Sequence, residues 1–288
     1  MLNIKKNVLL AKHTTFKIGG PARYFCIAEN KEDLIKAIKK AKELRQPFFI
    51  LGKGSNVLAL DEGFNGLIIK IQNPKSKIQN SKVYAEAGVK LEDIVKLSAR
   101  EGLAGLEWAA GIPGTIGGAI YGNAQAFDNK MSEIVKSVEV FDATEMRIKH
   151  ISKKQCSFSD KDSIFKRNKN LIIVSAILKL KKGNRKEIQN KIKENLNQRK
   201  KRHPLNYSSA GSVFVNQEGR PPSAYLIEQA GLKGLRIGKA EVSKKHAGFI
   251  INLGGAKAED VLELIKIIKK EVKNKFGINL EEEIQIIK

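Results

Sequence analysis

Aromatic residues make up only 6% of this 288-residue chain, and no basic stretch interleaves them. Proteins that bind single-stranded nucleic acid stack bases on such interleaved rings, so the shortage argues against a nucleic-acid partner. Acidic residues are few as well: 30 Asp and Glu stand against 53 Lys and Arg, a net charge of +23. That excess is compatible with nucleic acid, with an anionic small substrate, or with a lysine-rich proteome. Most of the lysines fall on the polar faces of amphipathic helices, where a solvated surface is their ordinary role. Cysteine is nearly absent. Cys26 and Cys156 are far apart and fit no metal spacing, so buried free thiols are expected rather than a disulfide or a redox pair. No His/Cys/Asp/Glu spacing matches a metal site. No apolar run reaches the roughly 18 residues a membrane span needs, and the stretch 171–178 is only strand-sized. The N-terminal stretch lacks a long apolar segment and a small-residue cleavage site, so a cytoplasmic protein without membrane insertion is expected. There is no internal repeat and no low-complexity segment.

Glycine, by contrast, is concentrated. Residues 111–126 read GIPGTIGGAIYGNAQA, with five glycines and a proline among small side chains. Glycine permits positive φ and close backbone approach, so such a loop suits N–H groups laid along an anion or a flat cofactor. Gly111, Ile112, Pro113, Gly114, Thr115, Gly117, Gly118 and Asn123 are its candidate contacts. A second loop, Gly52-Lys53-Gly54-Ser55-Asn56, directly follows the strand-like run at 48–51. Neither has Walker A or G-x-G-x-x-G spacing. Two unrelated phosphate-cradling loops in one basic chain suggest a dinucleotide.

Periodicity predicts helices over 31–45 (capped by Asn30), 91–101, 183–202 and 258–276, the last closed by Gly277. Strands are predicted at 48–51, 67–71, 83–87, 138–142, 171–180 and 280–287. This alternation indicates an α+β architecture. Ser212 lies in a small-residue turn that runs into a strand and is no G-x-S-x-G elbow, so local chemistry favours a structural serine. In a strand at 280–287, Glu281 and Glu283 would share one face and Glu282 the other, which reads first as a solvated edge. His246 enters an apolar strand and can reach a pocket. His13, His150 and His203 stand among polar residues and are expected at the surface.

Taken in order, TTFKIGGPA, LGKGSNVL, GIPGTIGGAIYGNA, SAGSVFVN and EVSKKHAGFIIN resemble the UDP-N-acetylenolpyruvoylglucosamine reductase family over nearly the whole chain. The length resembles the family's shorter subtype. The resemblance implies a two-lobed FAD-binding fold of the vanillyl-alcohol-oxidase type plus a C-terminal α/β substrate domain. The expected division is lobe 1 at 1–58, lobe 2 at 59–183, a bridging helix at 184–202 and the substrate domain at 203–288. It also implies FAD as cofactor, NADPH as electron donor, a nucleotide-sugar substrate and a monomer. Ser212 matches the family's proton donor to C2 of the enolpyruvyl group, and Glu283 the residue that helps stabilise the enolate. Asn216, Lys233 and His246 fall at substrate-contact positions, and Arg199 and Arg202 match a basic pair near the nucleotide sugar. The sequence also departs from the family. Where it reads F-G-Y-R-D-S, this chain has Phe158-Ser159-Asp160-Lys161-Asp162-Ser163, which puts Lys161 at the catalytic arginine. Two other readings stay open: an FAD-dependent oxidoreductase with an altered substrate, and a catalytically weak FAD-binding homologue.

Overall fold

The structure is a computed structural model that describes residues 2–72 and 74–288. The chain divides into two compact units. The first comprises the residues up to Ile4, Cys26–Gly52 and Ile69–Arg199; the second comprises Lys5–Phe25, Lys53–Ile68 and Lys200–Lys288. Several elements begin in one unit and end in the other, among them the strands Pro21–Ala28 and Phe64–Ile71.

In the first unit the predicted helix at 31–45 is Lys31–Glu43. Asn30 caps it by accepting from the Asp33 N–H at 2.8 Å, and Leu34, Ala37, Ile38 and Ala41 form the buried face. A five-stranded antiparallel sheet runs in the order Arg147–Ser152, Val135–Asp142, Leu171–Lys179, Lys82–Glu86, Ser76–Gln79. Its apolar face holds Val138, Val140, Ala176, Leu178, Val83 and Ala85, all buried. The short helix Ile116–Tyr121 packs on the central strands Leu171–Lys179 and Lys82–Glu86, which fixes the glycine loop to rigid backbone. Helix Leu91–Arg100 ends where Gly102 turns the chain at φ +66°. Arg185–Arg202 is the predicted polar helix, with only Ile188 and Asn195 buried.

In the second unit four strands run in the order Ser208–Ser212, Phe249–Asn252, Ala240–Val242, Arg236–Ile237, all antiparallel. Helix Ala258–Phe276 packs on this sheet through Val261, Leu264, Ile265, Ile268 and Val272, and Gly277 closes it at φ +69°. Its first turn has a distant cap that sequence spacing could not show: the Asp61 carboxylate accepts from the N–H groups of Ala258 and Glu259 at 2.7 and 3.3 Å. Phe16, Ile18 and Leu58 complete the same core.

The predicted strand at 280–287 is shorter than expected. Only Gln285–Ile287 is regular strand, paired in parallel with Val57–Ala59. Residues 281–283 instead bond to 213–215: Val215 N–H donates to Glu281 O at 2.9 Å and Glu283 N–H to Val213 O at 2.7 Å. The chain changes partners between the two segments, which breaks the strand. Both cysteines are free and buried, and burial pushes the Cys26 thiol up to about 12 and the Cys156 thiol up to about 11. No helix among the described residues is long and apolar enough to cross a membrane, and no group of side chains there could hold a metal.

Candidate functional site

In the first unit the glycine loop is tied down along one side. Leu91 N–H donates to Gly114 O at 3.1 Å, Ile116 N–H to Val89 O at 2.9 Å and Gly117 N–H to Ala87 O at 2.8 Å. Thr115 caps the helix that follows, its Oγ1 accepting from the Gly118 N–H at 3.3 Å. Gly52 lies so close that a Cβ there would sit 2.7 Å from Thr115 Oγ1. The other side of the loop is open at Gly118, whereas at Gly111 a Cβ would meet Leu196 at 2.9 Å and Arg199 at 3.1 Å. Gly111, Pro113 and Gly118 are exposed, and Ile112 and Gly114 are half-buried. A Cβ on Gly118 would meet nothing nearer than Thr115 Oγ1 at 3.6 Å, and Gly114 at φ +154° holds a conformation side chains disfavour. The exposed backbone at Gly114 and Gly118 fits the close approach of a phosphate or a flat ring system. The residues present therefore suit FAD.

Several predicted contacts hold the loop from behind. Gly117 is buried, and a Cβ there would lie 2.8 Å from Ala87 Cβ, so this glycine serves packing. The Asn123 side chain donates to Ser159 O at 2.8 Å and accepts from the Ser132 N–H at 2.9 Å. Arg199 was expected at the nucleotide sugar. Its guanidinium donates to the carbonyls of Ala110 at 2.8 Å and Trp108 at 3.2 Å, and lies 5.2 Å from the centre of the Phe127 ring. Burial lowers its pKa. Phe127 and Asp128 form the tip of the Gln125–Ala126/Asn129–Lys130 hairpin, both at positive φ. Such a tip normally holds Asn or Gly, so an aromatic residue there is strained and is braced by Arg199.

Lys161 also belongs to the first unit. Ser159 and Asp162 exchange main-chain hydrogen bonds at 3.1 and 3.3 Å, which closes a tight turn with Asp160 and Lys161 at its tip. Lys161 is half-buried at φ +50°, and Asp160 accepts from Gln125 Nε2 at 2.6 Å. Two further bonds fix the turn: the one from Asn123 and one from Ser163 Oγ to Tyr121 O at 2.7 Å.

The second unit brings together segments far apart in sequence. Gly54, at φ +68°, has no room for a side chain, since a Cβ would sit 2.4 Å from His13 O. Its carbonyl accepts from the Thr15 N–H at 3.0 Å, and Thr15 Oγ1 donates to Ser209 O at 2.8 Å. Asn56 Nδ2 donates to the main-chain carbonyl of Glu283 at 3.1 Å, and a Cβ on Gly211 would come within 3.9 Å of Ser55 O. Ser212 ends its strand opposite Phe249. Loop 54–56 thus lies against the main chain at Gly211 and Glu283, next to Ser212. The Glu282 carboxylate pairs with Lys269 at 2.9 Å. Lys53 and Arg202 are exposed.

Two substrate-contact candidates have internal partners. Asn216 Oδ1 accepts from the N–H and Oγ of Ser223, both at 2.9 Å, and so tethers the start of helix Ser223–Gln229. Lys233 pairs with Glu228 at 2.6 Å. His246 is half-buried; desolvation lowers its pKa, as do the nearby Lys233 and Arg202. Two surface expectations fail: His13 is half-buried and stacks on Phe25 with ring centres 4.3 Å apart, and neither is His203 a free surface residue. Its ring is half-buried, 5.3 Å from that of His246 and 5.0 Å from that of Phe249. Its neighbours in sequence are polar, and its ring partners lie in a distant loop. The only local signal was its place at the end of a helix, before Pro204.

The fold and the exposed glycine backbone define an FAD-binding protein of the two-lobed vanillyl-alcohol-oxidase type with an appended C-terminal domain. Residues 22–149 match the model of an FAD binding domain, and residues 203–287 match that of the UDP-N-acetylenolpyruvoylglucosamine reductase C-terminal domain. The chain is 42% identical to the UDP-N-acetylenolpyruvoylglucosamine reductase of Clostridium tetani, over 99% of this chain and 92% of that protein. It is 43% identical to that of Caldanaerobacter subterraneus subsp. tengcongensis, over 98% and 92%. The crystal structure of the Thermus caldophilus enzyme superposes with a TM-score of 0.85 at 33% identity, covering both chains fully. A solvent-stable cholesterol oxidase shares the fold alone, with a TM-score of 0.50 at 15% identity over 63% of this chain and 38% of that one. This chain belongs to the UDP-N-acetylenolpyruvoylglucosamine reductase family.

Proposed function

We propose that this protein is a cytoplasmic, monomeric, NADPH-dependent flavoenzyme of peptidoglycan precursor synthesis. It reduces the enolpyruvyl group of UDP-N-acetylglucosamine-enolpyruvate to give UDP-N-acetylmuramate. The observation that carries this reading is the convergence, within the second unit, of Ser212, Glu283 and loop 54–56. When bound, FAD supplies the hydride chemistry that the protein side chains cannot. The backbone of 111–118 and of 52–56 would hold it. Hydride delivered to C3 would build negative charge on C2 and the substrate carboxylate. Ser212 donates the proton to C2; a hydroxyl is competent there because a carbanion is strongly basic. Lys161 supplies the positive charge for the carboxylate or enolate, and Glu283 contributes to enolate stabilisation. Arg202, Lys233, His246 and Asn216 line the way to the nucleotide sugar. We assign lobes 1–58 and 59–183 to the flavin and 203–288 to the substrate, joined by helix 184–202.

The test is anaerobic. The purified yellow protein is reduced with NADPH and mixed with the enolpyruvyl nucleotide sugar, and flavin absorbance is followed. Rapid return of the oxidised spectrum supports the reading. Reduction without reoxidation by that substrate would favour the altered-substrate reading, which Asp160 and Lys161 keep in view. Protein that carries no flavin would overturn both.

A further inference from the structure

The second unit contains a relay of contacts that no assigned role uses. The turn before Phe249 is closed at both ends: the His246 N–H donates to Ser243 Oγ at 3.3 Å and the Phe249 N–H to His246 O at 3.0 Å. Inside it, His246 Nδ1 accepts the Gly248 N–H at 3.2 Å. Gly248 in turn lies beside Ser212, where a side chain would be crowded. A Cβ there would lie 3.1 Å from Ser212 Oγ and 3.1 Å from His246 Cε1, and the Gly248 carbonyl already accepts from the Val213 N–H at 2.8 Å. Behind His246 stands His203, its ring plane at 86° to that of His246, and both rings lie 5.0 Å from Phe249.

We propose that His203 is a positioning residue for Ser212: its ring holds His246 edge-on as acceptor of the Gly248 N–H, and the Gly248 carbonyl, through the Val213 N–H, holds the main chain that carries Ser212. The proposal rests on the assignment of Ser212 as proton donor. The relay needs a neutral His246, because a protonated Nδ1 is a donor and cannot accept the Gly248 N–H. Burial lowers its pKa, which favours that state, helped by Lys233 and Arg202; a bond to its own backbone and Glu228, paired with Lys233, pull the other way. Lys244 and Lys245 flank it on its own turn, and Lys245 Nζ is engaged by Lys200 O at 2.8 Å. His203 contributes part of that burial. Removing its ring admits water to His246, raises the pH at which His246 protonates and frees Gly248.

The experiment compares the wild-type holoenzyme with His203→Ala and His203→Phe. Flavin reoxidation by the enolpyruvyl substrate is followed by anaerobic stopped flow from pH 5 to 9. The His246 ring and the Gly248 amide are titrated by NMR in the same proteins. In His203→Ala the acid limb of reoxidation should move up by roughly one pH unit, a displacement of the size histidines commonly show in folded proteins. The His246 titration and the Gly248 amide shift should move with it, and reoxidation should suffer more than flavin reduction. His203→Phe keeps a ring and should keep the wild-type acid limb. An unmoved limb in His203→Ala, a His203→Phe profile matching His203→Ala, or equal losses in both half-reactions would each overturn the proposal. Should wild type fail to reoxidise with this substrate, the functional reading falls. The NMR titrations still decide whether His203 sets the state of His246.

Discussion

Ser212 can serve as an acid only toward a carbon far more basic than water, which separates its role from flavin reduction. Ser212→Ala should therefore leave reduction by NADPH near wild type and slow reoxidation by about 10²–10⁴, the usual worth of one positioned proton-transfer group. Stopped-flow traces of the two half-reactions check this. Lys161 poses the sharper question. Its ammonium is a compact, hydrated point charge, whereas the guanidinium expected at this position meets a carboxylate through two parallel bonds. Lys161→Ala should abolish turnover with FAD still bound, and Asp160→Tyr combined with Lys161→Arg should raise turnover above wild type; steady-state assays at equal flavin content report both. Such residues were legible only through resemblance. Alone, Ser212 reads as a turn serine and Glu283 as a solvated carboxylate, because their meaning depends on segments such as 54–56 and 246–248 that only the fold brings near.

At the scale of elements, the glycine loop separates two kinds of glycine that sequence cannot tell apart. Gly117→Ala should lower stability by about 1–3 kcal/mol, since its methyl group meets Ala87 with no room to give. Gly118→Val should fold with an almost unchanged Tm and purify without flavin, because its side chain would occupy the open strip. Thermal melts and flavin absorbance distinguish the two. Arg199 gives a second contrast. If it braces the loop through Trp108 and Ala110, Arg199→Ala should weaken FAD binding and destabilise the protein by about 2 kcal/mol or more, as expected for lost bonds from a charged donor. Substrate KM of the flavin-loaded fraction should then hardly move; a raised KM with normal flavin affinity would restore the sugar-contact role first expected. Regular elements were readable: helix Ala258–Phe276 matches its predicted bounds, and Asn30 caps as predicted. Arg199, Asn123 and Asn216 were not readable as braces, because each bonds to groups set by tertiary packing and none stands in a repeating pattern.

For the molecule as a whole, a net charge of +23 acts on any anion that approaches it. The nucleotide-sugar substrate carries a diphosphate, so long-range attraction should speed its capture. Raising ionic strength from about 0.02 to 0.2 M should lower kcat/KM several-fold while kcat stays nearly constant, since screening acts on encounter rather than on chemistry in a closed site. A flat kcat/KM across that range would show that the charge is merely solvated surface. Composition disclosed this property at once, whereas it disclosed nothing of how the chain is divided.

That division has a consequence for how the protein is made. Phe16, Ile18 and Leu58 belong to a core whose other members run from Ala210 to Ile284. Asn56 likewise bonds to a residue 227 positions later. When these early segments leave the ribosome, their partners do not yet exist, and the whole first unit except its earliest residues is synthesised in the interval. Contacts this distant in sequence form slowly and leave apolar surface waiting. The second unit is therefore begun early and finished last, and until then Phe16, Ile18 and Leu58 are open to chaperones or to a neighbouring chain.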